Sequence, residues 1–579
     1  MNKTPNFDSK IKTILDGLEP GERVCGLTGE KWNMDEEEIG WYKKFNIPSS
    51  DRSPVARQQI MAGYMIGYQW WWQRHAETKK PVLTYVHPAS GIKVLPDAEW
   101  FGCDFGSENQ EHDPSRTFFD QFRDLQLRVP LNATRNTEVP ENSIAINSFG
   151  DINSYFNILN NKSINSFFCI WTGKNEESAE MHNVEAGQRS VGVDDAARVF
   201  NSRYIRDCNN IQNSAFLFLC SDLEMCFGAV NRKRKKYMFF EDQLTEAEYK
   251  EQMSKIDLSS RKEVEKWKAK FDQVMRECVW PAKMSFDDEG SVGEYLYNTR
   301  NCKYCFQCVK AARDLYRCSF IAADTFDNAY CISVYDVSNS FGCIDLDRSI
   351  NCKFCFSSNS CQNLEYCMAC YNCENCFGCI GLRHKEFCIF NQQYSEDEYW
   401  KTVDKIKCQM LDSGEYGQFF PLAFSPCYFP QSGATLYFGA DKAVGKQLGA
   451  LEFDPESEGA IGDDLIDKTK TRSSKDIPDT AIELDPDEWV GVPIMDEEYG
   501  RRFAFLRPEI EFYRKFKIAP PNRHPVYRMQ QMIGRANLAV FEEAVCTKCN
   551  KSLTVAKNLT FTERNIYCKP CYRAYMEDR

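Results

Sequence analysis

From Cys331 onward, small apolar and polar positions recur at a fixed step. Cys331, Cys343, Cys355, Cys367 and Cys379 stand twelve residues apart, and Asn339, Asn351, Asn363 and Asn375 keep the same step four residues ahead of the last four. A constant period of this kind marks a repeating backbone whose units stack on one another. A helical hairpin repeat needs more than about thirty residues. Two short strands and two tight turns fit twelve, giving either one rung per repeat or half of a twenty-four-residue rung. An inward position stacks on itself in every rung and must be small and apolar, which suits cysteine. Asparagine tolerates left-handed turns, and its amide can hydrogen-bond along a column.

The same step runs more faintly through the first half. Ile152-Asn153-Ser154-Tyr155-Phe156 recurs as Ile164-Asn165-Ser166-Phe167-Phe168, Asn201-Ser202 as Asn213-Ser214, and Cys208 as Cys220. An ungapped duplication carries the segment from Cys226 onto that from Cys376, and each copy closes on a capping box, Thr245 with Glu248 and Ser395 with Glu398. A second duplication pairs the two ends of the chain. Tyr42, Lys44, Phe45, Arg52, Pro54, Arg57 and Met61 recur as Tyr513, Lys515, Phe516, Arg523, Pro525, Arg528 and Met532, in a pattern of helix, proline-bearing turn and helix.

These patterns predict a mainly β protein: two parallel β-solenoid blocks of twelve-residue period, joined by helices and flanked by helical, zinc-ribbon-like end modules. The expected layout is an N-terminal helical module with a degenerate ribbon over 1–135, a first solenoid over 140–243 and a helical connector over 244–294. A second Cys/Asn-ladder solenoid over 295–393 follows, then a helix and an acidic Pro/Gly-rich linker over 394–495, and a helical module with a zinc ribbon over 496–579. A chain of 579 residues exceeds a single core. No run of eighteen apolar residues predicts a membrane span, and the N-terminal residues lack a secretory signal pattern.

Twenty-eight cysteines without that signal favour thiols and metal thiolates in a reduced cytoplasm. The one strong chemical motif is Cys546-Thr-Lys-Cys549, eighteen residues, then Cys568-Lys-Pro-Cys571. Two such pairs around an alternating, hairpin-like stretch predict a structural zinc ribbon with four protein ligands. Its N-terminal counterpart places His75 opposite Cys546 and Thr78 opposite Cys549, with Cys103 near the second pair. Cys302/Cys305, Cys352/Cys355, Cys367/Cys370, Cys373/Cys376 and Cys376/Cys379 also show ligand spacing, so further zinc within 302–388, an interior ladder of thiols, and regulated disulfides all remain open.

The net charge of −13 speaks against a uniformly basic surface. Locally, residues 501–535 hold nine Lys/Arg against two acids among interleaved aromatics, and Arg232–Lys236 forms a second basic cluster. Arg514, Lys515, Arg523 and Arg528, with Arg232, Lys233 and Arg234, are therefore candidate nucleic-acid contacts. No Ser/His/Asp order, paired-histidine motif or phosphate loop emerges, and no small-molecule substrate is indicated. The ladders show no cluster of carboxylates on one face such as carbohydrate-cleaving solenoids use.

The order FYRKFKIAPP then ribbon, with NCFGCIGLRHKEFCIFNQQYS closing a Cys-ladder region, resembles an uncharacterised family of Cys-ladder-repeat plus zinc-ribbon proteins from ultra-small, candidate-phylum bacteria. The resemblance spans most of the chain and implies its architecture. It departs at the N-terminal ribbon, where the family keeps CxxC pairs and this chain keeps only Cys25. The leading expectation is a non-enzymatic scaffold or binding protein that meets a protein partner or itself. A nucleic-acid-associated factor is the alternative, and a thiol redox enzyme using the CxxC pairs is the third reading.

Overall fold

Every third residue of the repeat turns inward. In the computed structural model, which describes residues 3–456, 470–577 and 579, Cys331, Val334, Val337, Ser340, Cys343 and Leu346 are each no more than 2% exposed. The residue ahead of each inward position lies in the left-handed region, as at Asn339 (φ 54°), Gly342 (φ 65°), Asp345 (φ 53°) and Arg348 (φ 45°). Twelve residues thus contain four such turns, and the chain comes back beside its own start. Ile332, Ile344, Phe356, Met368 and Ile380 pair in parallel at successive steps of twelve. One rung is therefore twelve residues, not twenty-four. Left-handed backbone costs an L-residue about 1–2 kcal/mol. The offset comes from hydrogen bonds on both sides of each rung: Phe341 N–H donates to Cys352 O at 3.0 Å, and Phe354 N–H donates to Phe341 O at 3.0 Å.

The two ladders differ in regularity. The first opens with a step of eleven, Ile144 to Tyr155, and then keeps to twelve, Ala179 to Val191 to Arg203 to Ala215, within a nine-stranded sheet whose strands run parallel. The second opens with a step of eleven, Phe286 to Tyr297, and passes through steps of thirteen, Cys302 to Leu315 to Asn328, before settling to twelve. The cysteine column accordingly extends back from Cys331 to Cys318 and Cys305. Asparagines at left-handed positions form the expected amide ladder: Asn339 donates to Asn351, Asn351 to Asn363 at 3.2 Å and Asn363 to Asn375 at 3.1 Å. The chain as a whole is mixed α/β rather than mainly β, with 33% strand and 27% helix.

Both capping boxes form where the repeats stop, opening the helices Glu246–Met253 and Glu396–Asp412. A further helix, Arg261–Glu277, continues the connector. The stretch read as linker is built into the core ahead of the undescribed residues: Phe420, Phe429, Ala434 and Tyr437 are buried, and Gly433–Phe438 and Lys442–Gln447 are helical. Its glycines allow close approach, since a Cβ on Gly433 would meet Met65 Sδ at 2.7 Å.

Each end module docks on one ladder, and the two dockings correspond. The N-terminal helices Glu36–Phe45 and Pro54–Ala62 sit on the second ladder. The C-terminal helices Arg507–Phe516 and Pro525–Ile533 sit on the first. Lys44 pairs with Asp327 as Lys515 pairs with Glu177. Lys353 Nζ donates to Phe45 O at 2.8 Å, and Arg203 Nη2 donates to Phe516 O at 2.6 Å. The register of these pairs follows the two duplications: Glu177 and Asp327 match between the ladders, and Lys44 and Lys515 match between the ends.

Candidate metal centre

The hairpin of Phe541–Val545 with Ser552–Ala556 turns at Cys546–Asn550. Asn550 takes φ 59° so that its N–H reaches Cys546 O at 2.8 Å, and Cys546 N–H reaches Lys551 O at 2.9 Å. This tight turn aims the Cys546 and Cys549 side chains to the same side. Thr547 N–H donates to Ile566 O at 2.9 Å, which brings the strand Asn565–Tyr567 alongside. Cys568 follows that strand, and Cys571 lies in the first turn of the helix Lys569–Glu577. The four sulfurs lie within 4.8 Å of one another, with Cys549 Sγ and Cys568 Sγ 3.7 Å apart. Tetrahedral zinc with Zn–S bonds of about 2.3 Å calls for sulfurs about 3.8 Å apart, so the donor set fits such an ion. Cys568 N–H donates to Cys546 Sγ at 3.3 Å. Burial opposes ionisation of Cys546, but the N–H groups of Cys568, Cys549 and Lys548 prevail and hold its thiol below the usual range.

The same turn occurs three more times without the four thiols, at Cys25 and His75 with both of its hydrogen bonds and at Asp496 with the return bond. At Cys25, the Gly29 N–H returns to Cys25 O at 2.9 Å and Gly26 N–H donates to Asp51 O at 2.8 Å. The positions of the four ligands are there held by Cys25, Thr28, Ser53 and Ala56. At His75, Lys79 N–H returns to His75 O at 3.2 Å and Ala76 N–H donates to Val94 O at 2.9 Å. This places His75, Thr78, Pro96 and Glu99 at the four positions. His75 Nδ1 accepts from the Glu77 and Thr78 N–H groups, so Nε2 carries the proton and donates to Glu99 Oε2 at 2.9 Å. A His–Glu hydrogen bond thus stands where the C-terminal turn has thiols. The sequence placed His75 and Thr78 correctly but put Cys103 at the second pair. Glu99 stands there, on the helix Asp97–Gly102, and Cys103 caps that helix. At Asp496, Gly500 N–H returns to Asp496 O at 2.8 Å, and the carboxylate accepts from Tyr499 N–H, His524 N–H and the Arg523 guanidinium.

The other cysteine pairs are explained by the threefold inward step. Cys302/Cys305, Cys352/Cys355, Cys367/Cys370, Cys373/Cys376 and Cys376/Cys379 are consecutive inward residues, each no more than 2% exposed. Spacing that reads as metal ligation is therefore the spacing of the ladder itself. Among the described residues, close groups of candidate ligands form at Cys546–Cys571 and at His182, Asp194 and Asp195, and not within 302–388. All twenty-eight cysteines stand as free thiols. Burial pushes the thiol of Cys226 up to about 11, and those of Cys169 and Cys305 further.

The basic candidates are mostly engaged. Lys515 pairs with Glu177, Arg523 with Asp496 and Glu498, Arg528 with Glu180, and Arg232 with Glu241. Arg514, Lys233 and Arg234 are exposed. The ladders do gather carboxylates, contrary to expectation. Asp194, Asp195 and Asp207 lie together on the first ladder, and burial, reinforced by Asp194, pushes the Asp195 carboxyl up. Their partners are internal: His182 Nδ1 to Asp194 Oδ1 at 2.6 Å, His182 Nε2 to Tyr437 Oη at 3.2 Å, and Gln307 Nε2 to Asp195 Oδ1 at 3.2 Å. The repeat hid this cluster because aspartate recurs there at neighbouring rungs in outward, not inward, positions. Among the described residues, no helix is long and apolar enough to cross a membrane. The chain matches no protein-family model and no curated protein.

Proposed function

We propose that the protein is a non-enzymatic binding scaffold, built of two β-solenoids of twelve-residue rung and braced by a C-terminal zinc ribbon. The observation that carries this reading is the correspondence of the two dockings, in which each end module sets its duplicated lysine on a ladder carboxylate of the same chain and receives a ladder cation at its first helix's end. Basic residues used this way clamp the scaffold. A zinc ion held by Cys546, Cys549, Cys568 and Cys571 has no open coordination position, so its role is to fold the ribbon. Metal analysis of protein purified under reducing conditions is expected to find one zinc per chain. The C546S/C549S double variant should lose that zinc together with hydrogen-exchange protection of 541–556, while the ladders keep theirs. Unchanged zinc in that variant would sink the ribbon.

A second reading, association with nucleic acid, draws on Lys233, Lys551 and Lys569, which line one cleft between the end of the first ladder and the ribbon. Phosphate contacts release counterions, so binding of single-stranded DNA should fall steeply between about 50 and 200 mM salt. Absence of binding at the lower salt would leave the scaffold reading alone.

A further inference from the structure

The two dockings correspond in their contacts but not in their packing. Under the C-terminal helices, against the first ladder, lies a cavity of about 370 Å³. At the matching place under the N-terminal helices, against the second ladder, only about 10 Å³ remains. The walls are the same positions of the duplicated sequences. Arg523, Arg528 and Met532 of the open site answer to Arg52, Arg57 and Met61 of the closed one, and Gly192 answers to Gly342.

The ladder residues differ in kind. Glu180, Asp194, Tyr204 and Arg206 of the first ladder stand where the second has Tyr330, Ile344, Phe354 and Phe356. The roof differs as well. The closed site is capped by the loop Gly417-Gln418-Phe419, which fills it, whereas the open one is roofed by the helix Arg261–Glu277, which stands off. Aromatic and aliphatic side chains can therefore fill this cradle, and in one half they do. Buried spaces in proteins are mostly no larger than a water, so a cleft of this size kept open by charged residues has room for an organic occupant.

Its charge names the class of that occupant. Six cationic side chains line it, Arg206, Arg261, Lys268, Arg523, Arg528 and Arg535, against four acids, Glu180, Asp194, Glu265 and Asp272. Three of the acids are paired already, with Arg528, Arg206 and Arg535. Lys268 has no ion pair or hydrogen bond among the described residues and lies over the Tyr204 ring at 5.0 Å. Guanidinium donors at the wall also lack partners: Nη1 of Arg206, a residue 6% exposed, and Nε and Nη2 of Arg528. Val191, Ile205, Phe216, Phe271 and Ile518 give the wall an apolar part, beside Asn522, Gln531 and Thr560. A volume of this order is that of small-molecule sites, which combine apolar walls with a few placed polar groups.

We propose that this cavity binds a small amphipathic organic anion, with its phosphate or carboxylate at Lys268 and Arg206 and its apolar or aromatic body against Phe216 and Phe271. The full chain would be titrated calorimetrically with adenosine 5′-monophosphate, octanoate and inorganic phosphate. Binding of one of the two amphipathic anions at least tenfold tighter than inorganic phosphate is expected, the favoured one telling phosphate from carboxylate. K268M, at an exposed side chain, should weaken that binding about tenfold without lowering the melting temperature. D194I/R206F, which installs the residues of the closed half, should abolish it. The proposal is overturned if neither amphipathic anion binds, if inorganic phosphate binds as tightly, or if K268M binds as the parent does. D194I/R206F is read only if it melts cooperatively, and K268M alone decides otherwise.

Discussion

The first ladder with its C-terminal module and the second ladder with its N-terminal module solve one packing problem twice. Both place an arginine from the second helix of the module onto the ladder. Arg57 lies over the Tyr330 ring at 4.0 Å, with Tyr42 and the buried Glu38 beside it. Arg528 meets Glu180 instead, with Tyr513 and Glu509 repeating the Tyr42–Glu38 hydrogen bond. One half is dry and aromatic; the other is ionic and hollow. Duplication supplied two equal cradles, and a handful of positions decides which one is sealed. That separation of a stability-bearing half from a site-bearing half is what the likeness of the two helix pairs conceals.

The comparison breaks most readily at the arginines. Arg57→Ala leaves Glu38, only 2% exposed, without its cation and is expected to cost about 3–5 kcal/mol. Arg528→Ala leaves Glu180, whose side chain is 21% exposed and borders the cavity, and is expected to cost about 1–3 kcal/mol. Urea denaturation of both variants measures the difference, and equal losses would show that the hollow half is packed as tightly as the other.

A titration at the seam between the halves comes next. Burial pushes the Glu294 carboxyl up to about 7 despite its bonds from Asn537 and the Met284 N–H. The native carboxyl thus holds a proton that the unfolded chain, near its ordinary value of 4.5, releases earlier. Its contribution is full below about pH 4.5 and is lost as pH rises through about 7, a change on the order of 3 kcal/mol. E294Q should flatten that part of the profile of melting temperature against pH; a profile that keeps its slope would place the titration elsewhere.

The smallest expected difference concerns the asparagines. Asn351 sits inside the four-membered amide ladder, while the matching Asn201 has a single partner, Asn213, at 2.8 Å. N351A should cost about 1–2 kcal/mol and N201A about half of that, by loss of two amide bonds against one. A reversed order in urea midpoints would mean that the ladder adds no stability.

Much of this was legible from the chain. Equal steps of Cys and Asn gave the period but left the rung at twelve or twenty-four residues, and the two duplications gave the correspondence of the halves. The inward step of three was hidden because Cys, Ser, Val, Leu and Asn all serve at it, so identity recurs only at twelve. For the same reason, CxxC pairs from Cys302 to Cys379 imitated ligand spacing. The four-thiol site was visible because metal ligation admits few residue types, and both of its pairs keep the CxxC spacing. Of the three other turns of that shape, the duplication showed the one at His75 and Thr78; those at Cys25 and Asp496 stayed hidden, since Thr28 and Asp496 satisfy the turn with ordinary hydrogen bonds. The cavity lay beyond sequence reasoning altogether: it depends on which of two duplicated ladders meets which end of the chain.

That crossing sets an order on synthesis. The N-terminal helices are made first, yet Lys44 waits for Asp327, which follows it by 283 residues. At about 5–20 residues per second, the wait is roughly 14–57 seconds. During that time Phe45, Ile60 and Met61, buried in the finished fold, have no ladder to cover them. The C-terminal helices, by contrast, emerge onto a first ladder already finished. The dense aromatic packing of the N-terminal half thus closes 283 residues after its lysine is made, while the face of the first ladder waits longer still, 338 residues from Glu177 to Lys515.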